Sequence, residues 1–154
     1  MSRLFAYLAR FIVILVGFFC ASLGASAFLH FLAFGALSLT GEEIAFVSGG
    51  MVVTVPFLAL FVGYLAFLPG FIAILAAEVL ARRDWLYFAI TGAMTGLAVA
   101  WTNGFGHVGE LDTTAIAVGF AATGIVGGLC YWLVAGRSSG AGITSAIERT
   151  RTGS

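Results

Sequence analysis

Long apolar blocks separated by short polar stretches make up most of the chain, and their lengths predict four membrane-spanning helices. The first block runs from about Leu4 to Leu39, with Arg3 and Arg10 at its start. The second covers about Met51 to Leu80, and no charge interrupts it before Glu78. The third, Trp85 to Trp101, is short and bracketed by tryptophans, as an aromatic belt at two membrane surfaces would be. The fourth runs from about Thr113 to Ala135, with Asp112 as its expected N-cap and Tyr131 and Trp132 marking its exit. The fold class expected is all-α, a four-helix transmembrane domain over residues 1–136 with a flexible cytoplasmic tail over 137–154.

The polar stretches refine this picture. Thr40 and Glu43 have the spacing of a capping box, which predicts a short interfacial turn of helix, then a break at Ser48-Gly49-Gly50. As a single helix the second span would be about 45 Å long against a hydrocarbon core of ~30 Å, so it must tilt or kink. Pro69 removes one backbone hydrogen bond and is the expected kink. A re-entrant hairpin broken at Pro69-Gly70 is the alternative, but it would place Arg82 and Arg83 on the outer side. The first block also has the outline of a signal peptide, with Ala25-Ser26-Ala27 as a cleavage site. An uncleaved helix is preferred, because apolar character continues well past Ala27 to Leu39.

Composition agrees with a membrane protein. Only 9% of residues are charged and 61% are hydrophobic. A soluble domain has about 25% charged residues to cover its surface. All 7 basic residues are arginine, which together with abundant Ala and Gly suggests a bacterial genome and hence an inner membrane. In a four-span arrangement every arginine falls on one side, and Glu42, Glu43, Glu110 and Asp112 fall on the other. By the positive-inside rule both termini are cytoplasmic. No basic stripe with interleaved aromatics is present, so nucleic acid is not an expected partner.

Candidate chemistry is sparse. Glu78 stands four residues before Arg82, the favourable order for an ion pair one helical turn apart. The functional alternative is a proton- or cation-handling carboxylate near the Pro69 kink, since ionisable groups inside a membrane are costly. His30 is expected to hydrogen-bond a neighbouring helix. His107, Glu110 and Asp112 share the outer loop, but their spacing matches no metal motif. Cys20 and Cys130 form no ligand pattern and read as small packing residues. Ser22, Ser26, Thr54, Thr91, Thr95 and Thr123 are expected to hydrogen-bond within or between helices.

Small residues form two notable patterns. Gly92 and Gly96 make a GxxxG pair in the third span. Gly119, Thr123 and Gly127 make a smooth ridge in the fourth, suited to close helix contact. No catalytic constellation, cofactor motif or metal site is evident. The expected role is therefore a non-enzymatic accessory subunit acting through its Gly-rich faces, in the bilayer, as a homo-oligomer or with a larger membrane-protein partner. The alternative is a small transporter or channel component using Glu78.

Overall fold

A computed structural model of the chain describes residues 2–36, 41–104 and 113–138. Four helices account for nearly all of them: α1 Ser2–Ala36, α2 Gly41–Val79, α3 Trp85–Thr102 and α4 Thr113–Val134, followed by one 3-10 turn, Gly136–Ser138. All four are long and apolar enough to cross a membrane, and no strand occurs among the described residues. Thr40, His107, Glu110, Asp112, the side chains of Glu42 and Glu43, and the tail beyond Ser138 lie outside the description.

For the second span one expectation is corrected and the disfavoured alternative is ruled out. The helix begins at Gly41 and passes through Ser48, Gly49 and Gly50 without a break. Nor does it break at Pro69-Gly70: α2 is helical through both Pro56 and Pro69, so the re-entrant hairpin is excluded. The physical reason is the solvent. In hydrocarbon a peptide group leaving the helix finds no water to bond, so weak helix formers stay helical.

What ends α2 is a Schellman turn. The Ala81 N–H donates to the Glu78 carbonyl (3.3 Å) and the Arg82 N–H to the Ala77 carbonyl (3.0 Å). Ala81 holds the left-handed position, φ 48°, where glycine is usual. Asp84 then adopts an extended conformation as the N-cap residue of α3, without a side-chain capping bond.

The helices pack as an antiparallel up-down bundle in the ring order α1, α2, α3, α4. α3 and α4 are the most closely joined pair, α1 lies against both α4 and α2, and α2 with α3 is the loosest of the neighbouring pairs. The packing is small inside and large outside. Ala25, Ala59, Ala77, Ala89, Ala100 and Ala135 are buried, while Phe57, Tyr64, Met94 and Trp101 are exposed. Lipid offers no hydrophobic reward for burying a large side chain, so close backbone approach decides what lies inside.

One end of the bundle gathers the arginines. Arg82 and Arg83 lie in the turn between α2 and α3, Arg10 near the start of α1 and Arg137 just past α4. Trp132 Nε1–H donates to the Arg83 carbonyl (2.8 Å), and the Arg137 guanidinium sits 4.7 Å over the Trp132 ring.

Candidate functional site

The glycine patterns set the geometry. A Cβ on Gly92 would meet the Gly124 carbonyl oxygen at 2.2 Å, and one on Gly96 would meet the Phe120 oxygen at 2.1 Å. From the other side, a Cβ on Gly124 would lie 2.0 Å from the Gly92 oxygen, and one on Gly128 2.1 Å from the Phe88 oxygen. α3 and α4 therefore touch backbone to backbone. Gly127 faces Ala21 and Ala25 of α1, Thr123 is buried, and Gly119 meets only Leu32 at 3.9 Å. Gly92, Gly96, Gly124, Gly127 and Gly128 thus make their close approaches within the chain, and Gly119 does not.

Drawing α3 and α4 together on one side leaves space beside α2. A cavity of about 310 Å³ runs between the four helices. On α2 its lining extends from Leu58 to Ile74, roughly 24 Å of helix at the helical rise. It is long, narrow, open to the exterior and walled almost wholly by apolar side chains and glycine. The lining serine and threonine hydroxyls are already committed. Ser22 donates to the Phe18 carbonyl (3.0 Å), Thr91 to Tyr87 (2.8 Å), Thr95 to Thr91 (2.8 Å) and Thr123 to Gly119 (2.8 Å). Each bond stays within its own helix, four residues back.

Tyr131 differs. It lines the cavity, is only 4% exposed, and its hydroxyl is buried without a hydrogen-bond partner among the described residues. Its ring packs against Phe88 (centroids 5.5 Å) and against the α1 backbone at Gly17. Tyr131 stands near the exit of the fourth span, as the sequence suggests, but unlike Trp132 it points inward, because Gly17 opens a slot for the ring.

Beside Tyr131, Arg10 Nη2–H donates to Glu78 Oε1, joining α1 to α2. Both side chains are 22% exposed, and both lie within electrostatic reach of Tyr131. The expected partner, Arg82, is the last residue of the Schellman turn, past the left-handed Ala81 and so off the helical register an i,i+4 pair requires. It lies instead 3.8 Å from Asp84, in an exposed pair.

The remaining candidates have local roles. His30 Nδ1 bonds the Ser26 carbonyl of its own helix at 2.9 Å, not a neighbouring helix, and its ring lies tilted against Phe34. Ser26 Oγ makes the interhelical bond, donating to the Val55 carbonyl of α2 (2.7 Å). Thr54 donates to Gly50 within α2. Cys130 packs its sulfur on Gly24 of α1, and both cysteines are free. Among the described residues no three His, Cys, Asp or Glu side chains gather to hold a metal ion. Compared with known protein families, curated proteins and solved structures, the chain matches none.

Proposed function

We propose that the chain is a non-enzymatic protein of a bacterial inner membrane that holds the alkyl chain of one lipid within its bundle. The observation that carries this reading is the cavity: elongated, apolar, open to the exterior, with its serine and threonine hydroxyls bonded to backbone. Its volume lies at the lower end of the ~300–1,000 Å³ usual for ligand sites. An extended hydrocarbon chain has the matching shape and asks for no hydrogen bonds. The same facts weigh against ion transport. The lining supplies no chain of free polar groups, and Glu78 already faces a cation.

In this reading both termini are cytoplasmic and α1 is retained rather than cleaved, since Gly17, Ser22 and Ser26 belong to the packed interior. α2 bends at Pro69, whose missing N–H weakens the helix beside the cavity, and the lipid chain enters between α2 and α3. A second copy or a larger membrane protein meets the outer faces, where the large side chains lie.

The test is lipid retention. The full chain, purified in maltoside detergent, should carry one alkyl-chain lipid per copy by native mass spectrometry. Ala66 lines the cavity from α2, so Ala66→Trp should fill it and abolish retention while the helix content stays unchanged. Equal retention by Ala66→Trp would place the lipid on the outer surface and end this reading. A protein partner bound in fixed ratio to lipid-free chain would favour the accessory role alone.

A further inference from the structure

Three arginines stand just outside the membrane spans at one end of the bundle. Arg82 and Arg83 lie between the end of α2 and the start of α3, and Arg137 follows α4. All three are exposed. One side chain ties the two segments together. Trp132 Nε1–H donates to the Arg83 carbonyl (2.8 Å), and its ring carries the Arg137 guanidinium at 4.7 Å. A guanidinium offers five N–H donors in a planar fork that matches phosphate. Arg137 donates no hydrogen bond to any described residue, so the indole holds it in place without consuming that fork.

The charge at this end is unbalanced. The carboxylates here, among the described residues, are Glu78, bonded to Arg10, and Asp84, 3.8 Å from Arg82 in a pair that water reaches. Arg82, Arg83 and Arg137 against Asp84 alone leave two positive charges in excess. The sequence beyond Ser138 adds Glu148, Arg149 and Arg151, again more base than acid. The apolar spans of α2, α3 and α4 all stop at this level, so what surrounds the patch is the headgroup layer, where tryptophan is also enriched. Phosphate is the anion of that layer, and an arginine so placed gains about fivefold in affinity for anionic lipid. We infer that the face formed by Arg82, Arg83, Trp132 and Arg137 binds the phosphate of an anionic phospholipid from the surrounding bilayer. None of these four residues lines the cavity, so this site is separate from the one that holds the alkyl chain.

The test uses the full chain in maltoside, as wild type and as Ala66→Trp, whose cavity is filled. Each is titrated with phosphatidylglycerol and with phosphatidylcholine of the same acyl chains, and bound lipid is counted by native mass spectrometry. Both proteins should prefer phosphatidylglycerol, by roughly five- to twenty-five-fold for two excess charges. Arg137→Gln should lose about fivefold of that preference with its melting temperature unchanged, since the side chain is exposed. Asp84→Asn should gain up to about fivefold, because it removes the opposing charge, and Asp84 makes no side-chain capping bond that the change could break. A gain cannot come from misfolding. Equal binding of the two lipids by wild type, or no response to both Arg137→Gln and Asp84→Asn, overturns the inference and leaves the cavity reading intact. A preference lost in Ala66→Trp places the anionic lipid in the cavity and overturns the separate site. Displacement of phosphatidylglycerol by millimolar inorganic phosphate makes this a site for a soluble anion, and an acidic protein that copurifies and resists excess phosphatidylglycerol makes it a protein interface; either overturns the lipid assignment.

Discussion

Arg10 and Glu78 are 68 positions apart and share one ion pair across α1 and α2. At 22% exposure each is shielded but reachable by water, so the pair stands between two regimes. Exposed pairs contribute about 0–1 kcal/mol. Breaking a fully buried pair costs about 3–5 kcal/mol, because the remaining charge is stranded. Glu78→Gln should cost about 1–3 kcal/mol in thermal or chemical denaturation in detergent. Arg10→Met together with Glu78→Leu should recover part of that loss, since neither charge is then left alone. A double mutant as unstable as the sum of the two singles would show that the two residues do not interact. Spacing alone pointed to Arg82, because i,i+4 pairs are the ones a linear chain reveals. A partner on another helix leaves no trace in local periodicity.

Among the elements, α3 and α4 show how differently glycines in one motif class behave. In the sequence Gly92, Gly96, Gly119 and Gly127 look equivalent, each a small residue on a smooth ridge. In the bundle, Gly92 and Gly124 face each other's backbone carbonyls, and backbone cannot move aside as a side chain can. Gly92→Ala or Gly124→Ala should therefore cost about 3 kcal/mol or more, at or above the upper end of ordinary overpacking. Gly119→Ala meets only a methyl group of Leu32 at contact distance. It should be neutral or stabilising by up to about 1 kcal/mol, through the better helix propensity of alanine. Melting temperatures of the three variants in detergent check the contrast. Equal losses at Gly92 and Gly119 would mean that helix approach does not govern the bundle's stability.

At the scale of the whole molecule, the bundle gathers the arginines of the described residues at one end, as the positive-inside rule requires of a cytoplasmic face. Alkaline phosphatase fused after Ser154 should be inactive, and fused between residues 105 and 109 it should be active. The reverse pattern would place the arginine end outside the cytoplasm. It would also put Tyr131 at the opposite boundary of the bilayer, without changing the cavity itself. The cavity belongs to this scale alone. It exists because α3 and α4 close on each other through glycine while α2 packs loosely against α3.

The number of spans, their approximate limits and the gathering of arginine at one end follow from the sequence by itself. Apolar length against bilayer thickness is a property of each segment, and charge asymmetry is a property of the segments between them. The continuity of α2 through Ser48-Gly49-Gly50 was not legible, since local propensity there argues for a break and the hydrocarbon surroundings override it. Beyond the small-residue ridges at Gly92, Gly96, Thr123 and Gly127, the inward and outward faces could not be assigned. When nearly every residue is apolar, hydrophobic periodicity carries no direction, and only contact between helices decides which residues line the interior. The tertiary structure alone therefore turned Tyr131 inward, joined Arg10 to Glu78, consumed the glycine faces and left a cavity beside α2.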